Sequence, residues 1–541
     1  MIKIRSSELD RYKLDEEQKL WAYCGLDNCL TAELKPVFNP LLDPVREVYE
    51  FQRALQGPAM TLMRRGFKVD QKETELALNG DPNATYTLEE CGPKGKYKDT
   101  TTAKIETRYR KLGVLRRIST LGGMAKDDTR KVGKWQIVDP TATLQVLAKV
   151  IWDKELNYHS PKQLQAFLYG AMRLPEQLKR EKGKVKVSTD HEALEHLAGT
   201  YPKAATIVNA IKRLRDLEKL CDVLQKGIDA DGRMRCSYNI AGTETGRWSS
   251  STSVWDTGGN MQNIPKELRR IFVADPGYIL FNADLEQAES RITAYLSKDS
   301  NYITACESAD LHTTVAHMLF GIPDDKKYAD SHYYYRHFTY RDMAKRAGHA
   351  LNYGLSPNSL ARQMHIPVQQ AFRVYLLYLG GEMTLDRAAK LGLWDMPNKT
   401  KEGRFLYFKG AFEGIRRWHE STIEELELNG MLTTPLGRRR VFWARLNDAQ
   451  THREAIAFRP QSTIGDLLNL GLFRVWKELE PVVQILGQVH DSVCGQIPEK
   501  LVDEYAPRVL ECLHNPIKVN GKTMIVPADI KFGKNWRDLH A

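Results

Sequence analysis

Residues 341–354 read RDMAKRAGHALNYG, with Arg341, Lys345, His349 and Tyr353 at intervals of four. On an α-helix that spacing stacks the four side chains along one side, drifting slowly round it. Two cations, a ring donor and a phenol, closed by Gly354, form a face suited to a polyphosphate with a flat base at its end. A solvated basic helix face is the competing reading of the same residues. Asp284 in ILFNADLEQAESR and Asp491 in ILGQVHDSVCG flank this helix in the chain, each ending a run with strand character. Alone, either reads as a strand-end or turn residue. Taken with the basic helix, two carboxylates for metal are the parts that nucleotidyl transfer requires.

Composition sets the frame. The chain has 541 residues, 42% hydrophobic and 27% charged, enough for several packed units. Its 79 Lys and Arg against 68 Asp and Glu leave +11, a bias toward polyanionic partners that an ordinary basic surface would also produce. Eight cysteines without a CxxC pair argue against a zinc ribbon and a disulfide framework, and favour a reducing compartment. No apolar run reaches membrane-spanning length and MIKIRSSELD has no signal-peptide core, so a soluble, cytoplasmic protein with no membrane partner is expected, in the host cell if phage-encoded.

The pattern along the chain predicts helices over 8–60, then an irregular insertion near 78–135 rich in Gly, Pro, Thr and Lys. Ser160 and Pro161 open a helix as cap and first residue, LKREKGKVKVSTD is a basic loop, and a long helix covers 206–228. Residues 231–250, DGRMRCSYNIAGTETGRWSS, alternate like a strand and end in a Gly-Arg turn. Strand and helix surround Asp284, residues 301–430 are mostly helical, 452–479 form another long helix, and 482–498 form a hairpin with His490 and Asp491 at its bend. The order predicts an α+β core with a large helical insertion between its two acidic strands.

Smaller features read two ways. The GRRR run at Gly437–Arg440 and TETGRWSS offer Arg to phosphates or to minor-groove acceptors, or form a surface patch. HYYYRHF, His332–Phe338, offers rings to unpaired bases, or packs as ordinary aromatics.

These segments together resemble a family A DNA polymerase, the class of bacterial DNA polymerase I and many phage replicative enzymes. DLEQAESR is similar to the family's first catalytic motif, RDMAKRAGHALNYG to its nucleotide-binding helix and QVHD to its second catalytic motif. TETGRWSS, MQNIP, DLHTTVA, TPLGRRR, RPQSTIGD and GKNWRDLH follow in the family's order, and SPKQLQAFLYG and STDHEALEHLA look like its thumb, so the likeness spans roughly 45–541. The resemblance implies a right-hand fold: a palm with an antiparallel sheet, helical fingers and a thumb. Its expected parts are a helical exonuclease-domain remnant at 1–46, a thumb region at 47–245, palm at 246–299, fingers at 300–433 and palm again at 434–541.

By the same resemblance, Asp284 and Asp491 with the Leu285 carbonyl hold two Mg²⁺ ions, for which Mn²⁺ can substitute, and Lys345 gives a proton to the leaving group. Gln287, Glu289, His312, Arg341, Lys345, His349 and Tyr353 match contacts to the dNTP, with Glu289 crowding the sugar 2′ position. Arg247, Gln262, Asn263, Arg453, Gln461 and His490 match contacts to primer-template DNA. The implied activity is template-directed DNA synthesis in replication, with fingers that close on the correct nucleotide.

Departures from the pattern are specific. His349 stands where Phe or Tyr usually stacks on the nucleotide, Ser492 where many members have Glu, and Trp248 where a smaller apolar residue is usual. Tyr23 and Asp27 in YCGLD resemble the third motif of the 3′–5′ proofreading domain, whose other carboxylates are not in this chain. One Asp cannot build a two-metal hydrolytic site, so no proofreading by this chain alone is expected, with a separate exonuclease subunit or other replication proteins as candidate partners. Two alternatives stand: a single-subunit RNA polymerase, which Glu289, TGRWSS and QNIP oppose, and a non-catalytic DNA-binding subunit, which the intact acids and cations oppose.

Overall fold

The computed structural model describes residues 15–79, 114–117, 135–138 and 140–540, apart from 182–183, 202–203, 206, 213, 216–226, 254–256, 265–267, 337, 394, 397–398 and 402–403. At its centre is a four-stranded antiparallel sheet. Strands β1 (Tyr278–Leu285), β2 (Gln484–Val489), β3 (Ser492–Pro498) and β4 (Ala528–Gly533) lie in the order β2-β3-β1-β4. β1 and β3 are buried at most positions on both faces because helices cover the sheet, so alternation is lost in the middle strands. Gly495 in β3 has no room for a side chain: a Cβ there would lie 2.6 Å from the Phe281 ring. Helices α1 (Ala288–Ser297), α6 (Ala449–Leu479) and α7 (Val502–Leu513) pack about this sheet.

Between β1 and β2 the chain builds a second, helical core from α2 (Leu311–Phe320), α3 (Tyr340–Asn352), α4 (Val368–Leu379) and α5 (Glu413–Asn429), with Tyr302, Tyr378, Phe412 and Trp418 at its heart. This is the helical insertion expected from the sequence, with a small three-stranded sheet (Gly381–Thr384, Phe405–Phe408, Lys399–Lys401) added to it.

A third core gathers residues from Leu144 to Leu214, including the Ser160-capped helix and the helix His191–Thr200 that Asp190 caps. Residues 55–69 and 234–238 do not join it. Leu55, Leu62, Phe67, Met234 and Tyr238 are buried with the sheet instead. The range 47–245 expected as one thumb region is therefore divided between two cores. Of the insertion expected near 78–135, residues 78–79 end the helix Gln71–Asn79 and Val114–Arg117 pairs with Trp135–Val138; the rest of it lies outside the described residues, as does 216–226 of the expected long helix. Residues 231–250 form three short strands, Arg233–Met234, Ser237–Asn239 and Ser249–Ser251, not one. The helix Glu16–Leu42 carries Tyr23 and Asp27, whose side chains are outside the described set.

The two ends of the chain meet at Trp536. Its ring stacks on Phe67 at 5.0 Å, meets Phe272 edge-on at 5.4 Å and lies under the Arg269 guanidinium. The terminal GKNWRDLH segment thus packs the core through Trp536. Trp536→Ala should cost about 3–5 kcal/mol, the range for emptying a buried aromatic site. Urea unfolding followed by near-UV circular dichroism measures it, and an unchanged midpoint would make the stack incidental.

Candidate active site

The strand β1 ends in Asp284, and the hairpin joining β2 to β3 ends in Asp491. In the register, Asp284 faces Ser492 on one side and Asp529 on the other. The amide of Leu285 donates to the Asp491 carbonyl at 3.1 Å, so the two acidic residues are held side by side. His490, at φ +54°, takes a left-handed conformation that a tight two-residue bend demands and that residues with a Cβ seldom adopt. Ser492 spends its hydroxyl on Asn282 (3.0 Å) and on the Val489 carbonyl (2.8 Å), bracing the same bend.

The two carboxylates are uneasy neighbours. Asp284 is exposed to solvent, yet protein on its flanks strips enough water to raise its pKa to about 6, with Asp491, Asp529 and Glu286 adding repulsion. Burial also raises Asp491, helped by Glu289 and opposed by Arg247 and His490. A pair of acids that resists ionisation is a pair that gains from a cation. Among the described residues no three His, Cys, Asp or Glu side chains gather as a metal cage. Two Asp and a carbonyl suit an ion that takes its other oxygens from phosphate and water.

Arg247 bridges the site, one Nη2 donating to Glu289 at 2.9 Å and to Asp491 at 3.2 Å. Gln262 gives its amide to the Trp248 carbonyl (3.2 Å), which anchors the Arg247 loop; the Gln262 side chain is thereby turned to the protein. Trp248 itself is buried against Tyr238. Asn263 and His490 are exposed. Arg453 is exposed on α6, and Gln461 lies two turns further along that helix, beside Tyr353.

Opposite these lies α3. Thr339 caps it, Met343, Ala344, Ala347 and Leu351 face its core, and Gly354 at φ +68° ends it. Lys345 and His349 are exposed on the outer face, as the spacing of four requires. Tyr353 falls one residue past the helix, half-buried, its buried hydroxyl beside Glu289 and Gln461 without completing a hydrogen bond. Arg341 is not free: its Nε and Nη2 each donate to Asp310 at 2.8 Å. His312, two residues on, is half-buried, and burial with the Arg341 and Lys345 charges drops its pKa to about 4, leaving it neutral near pH 7. Gln287 at φ +52° turns the chain from β1 into α1 with its side-chain oxygen buried and unpartnered. Such an orphaned acceptor beside two acids marks a place for a ligand.

The profile of DNA polymerase family A matches residues 136–381 and 389–538. The chain belongs to DNA polymerase family A. Family A DNA polymerases generally use divalent metal ions, and the Asp284–Asp491 pair fits that need. The thermostable DNA polymerase I of Thermus filiformis is 29% identical over 400 residues, covering 70% of this chain and 41% of that protein. DNA polymerase I of Synechocystis sp. is 28% identical over 428 residues, covering 74% and 39%. This chain thus spans about two fifths of the length of the curated relatives it matches. Among solved structures, the polymerase domain of Pol1 from M. smegmatis, in complex with DNA primer-template and dNTP, superposes with a TM-score of 0.57 at 25% identity, over 74% of this chain and 65% of that one.

In this family A chain the structure shows the surroundings of two segments that the sequence left open to two readings. In GRRR, Arg438 is held on Asp466 (2.6 Å) and Gln52 (2.7 Å) and Arg440 pairs with Glu244 and Glu454 over the Phe442 ring, whereas Arg439 is exposed. In HYYYRHF, Tyr334 packs against Phe320 and Phe338 is buried, while His332, stacked on Tyr328, and Tyr333 are exposed rings. Asp310, Asp529 and Glu286 were missed. Asp310 heads DLHTTVA and reads only as a helix cap; Asp529 reads as an exposed strand residue, since nothing local reveals which strand it pairs with.

The raised Asp284 pKa has a sign that can be tested. Between the unfolded value of 3.8 and the folded value of about 6, the native state binds the extra proton, so stability falls as pH rises through that window. Without divalent metal, Asp284→Asn should melt above the parent near neutral pH, and the gap should close as pH drops to about 4. Calorimetry across that window would show identical melting throughout if the carboxylate were unstrained.

Proposed function

We propose that this chain is a template-directed DNA polymerase that adds dNTPs to a primer 3′-hydroxyl and releases pyrophosphate, in DNA replication. The observation that carries the reading is the Leu285–Asp491 hydrogen bond, which sets two acids together, with Arg247 and Glu289 linking them to Tyr353 at the end of the helix that exposes Lys345 and His349. Two divalent cations, Mg²⁺ by the hardness of the ligands with Mn²⁺ as a substitute, would supply charge neutralisation at the α-phosphate and acidify the attacking hydroxyl when bound.

The chain's own residues do the rest. Asp284, Asp491 and the Leu285 carbonyl are the ligands, and Arg247 leaves Asp491 for the primer-template when these are engaged. Arg341, Lys345 and neutral His312 hold the triphosphate, and the exposed Lys345 protonates the departing pyrophosphate. Gln287 lies by the sugar. Glu289, fixed by Arg247 under Tyr353, fills the space that a ribose 2′-hydroxyl would need, which favours a deoxyribonucleotide over the RNA-polymerase alternative. His349 stacks on the incoming base and Tyr353 backs the templating position. Asn263, Arg453, Gln461 and His490 line the path of the primer-template, and the fingers built on α2, α3 and α4 swing toward the sheet on nucleotide binding.

Primer extension tests the reading: Asp491→Asn should lower the rate by at least about a thousandfold, the scale set by losing electrostatic stabilisation at the reacting centre. Activity within tenfold of the parent would overturn the assignment. Glu289→Ala should raise ribonucleotide incorporation relative to dNTP, scored as alkali-labile product. Log affinity for primer-template should fall linearly with log salt, with a slope that counts the phosphates neutralised; a flat dependence would exclude a phosphate-tracking cleft.

A further inference from the structure

Asp310 stands where two helices that face the cleft begin to meet. It caps α2, its carboxylate accepting from the Thr313 amide at 3.3 Å and from the Thr313 hydroxyl. The same carboxylate receives Arg341 edge-on, through Nε and Nη2 at 2.8 Å each. A guanidinium held by that edge keeps Nη1 and one Nη2 proton for another acceptor. The nearest other acid to Nη1, the exposed Asp330, is 4.0 Å away. Val315 and Leu319 of α2 and Met343 and Ala347 of α3 are buried in one core, so Asp310 and Arg341 travel together in any movement of the fingers.

We propose that Asp310 is a positioning residue for the incoming nucleotide, which holds Arg341 by one edge so that its other edge meets the triphosphate, and which sets His312 on the same turn. The inference rests on the polymerase reading above. An Arg loose on a helix face gives up rotamer freedom when phosphate arrives; here that freedom is spent during folding. Arg341 in turn keeps the Asp310 carboxyl well below the ordinary range, so the clamp stays charged at any working pH. A rival role has the opposite sign: a carboxylate that merely neutralised Arg341 would weaken triphosphate binding, and its removal would tighten it.

Steady-state primer extension with saturating primer-template and one dNTP varied separates KM from kcat. Asp310→Asn keeps a good cap and loses the anionic edge-on partner. Its KM for dNTP should rise about tenfold with little change in kcat, the scale of one charge-assisted contact. Asp310→Ala should raise it further, and an unchanged melting temperature for Asp310→Asn shows that the fold is kept. Placed on Arg341→Ala, Asp310→Asn should leave KM within about twofold of the single variant, because the effect runs through Arg341. An equal rise in both backgrounds would make Asp310 a general structural residue, and a fall in KM would make it a brake; either overturns the proposal. If the parent extends no primer, the polymerase reading itself fails. If extension proceeds and ignores Asp310, that reading stands and this one falls.

Discussion

One backbone hydrogen bond, from the Leu285 amide to the Asp491 carbonyl, constrains everything that surrounds the cleft. It closes the register between the end of β1 and the β2–β3 bend, and so brings together residues 207 positions apart (491 − 284). A slip of one residue would turn Asp284 into the core and Ala283 into the cleft. The sheet guards against that slip. Gly495 lets β3 lie against the Phe281 ring, Ser492 ties Asn282 to Val489, and apolar residues fill both faces of β1. The raised pKa of Asp284 reflects burial first and the repulsion of this juxtaposition second, and both are borne where a cation can relieve them.

Around the acids, the arginines are already paired. Arg247 lies on Glu289 and Asp491, Arg341 on Asp310 and Arg438 on Asp466. The first two pairs are about three-quarters buried and keep unused donors; the third is almost wholly buried and is architecture. Burial therefore separates arginines that can exchange partners from one that cannot, because a deeply buried charge stripped of its partner is left without water to replace it. Beneath α3, Asn352 joins Tyr302 (2.7 Å), Tyr378 (2.9 Å) and His419 (2.9 Å) in a buried polar knot. Burial lowers the His419 pKa to about 4, so the ring stays neutral and its Nε2–H can donate to the Asn352 carbonyl. A fully satisfied network of this kind holds the end of the helix in one place.

Much of this was legible along the chain. The spacing of four in α3, the Ser160 cap, the Gly354 stop and the His490–Asp491 bend are local: each depends on a few neighbouring residues and on helix or turn geometry. Where the sequence misled, the missing information was a distant partner. GRRR looks like a basic patch until Asp466, Glu454 and Glu244 arrive from elsewhere. HYYYRHF looks available for stacking until Phe320 and Gln370 take Tyr334. Phe67 and Leu62 look like part of the unit that follows them until Trp536 and the sheet claim them.

The amino-acid order by itself determined the kinds of element, the sites of the acids and cations, and the helix face that carries Arg341, Lys345 and His349, since periodicity and capping act over a few residues. The tertiary structure alone decided which charges meet. Asp529 flanking Asp284, Arg247 bridging Glu289 to Asp491, and Asp310 gripping Arg341 all depend on contacts between segments far apart in the chain. Such contacts are set by how whole layers pack, and no local pattern encodes them.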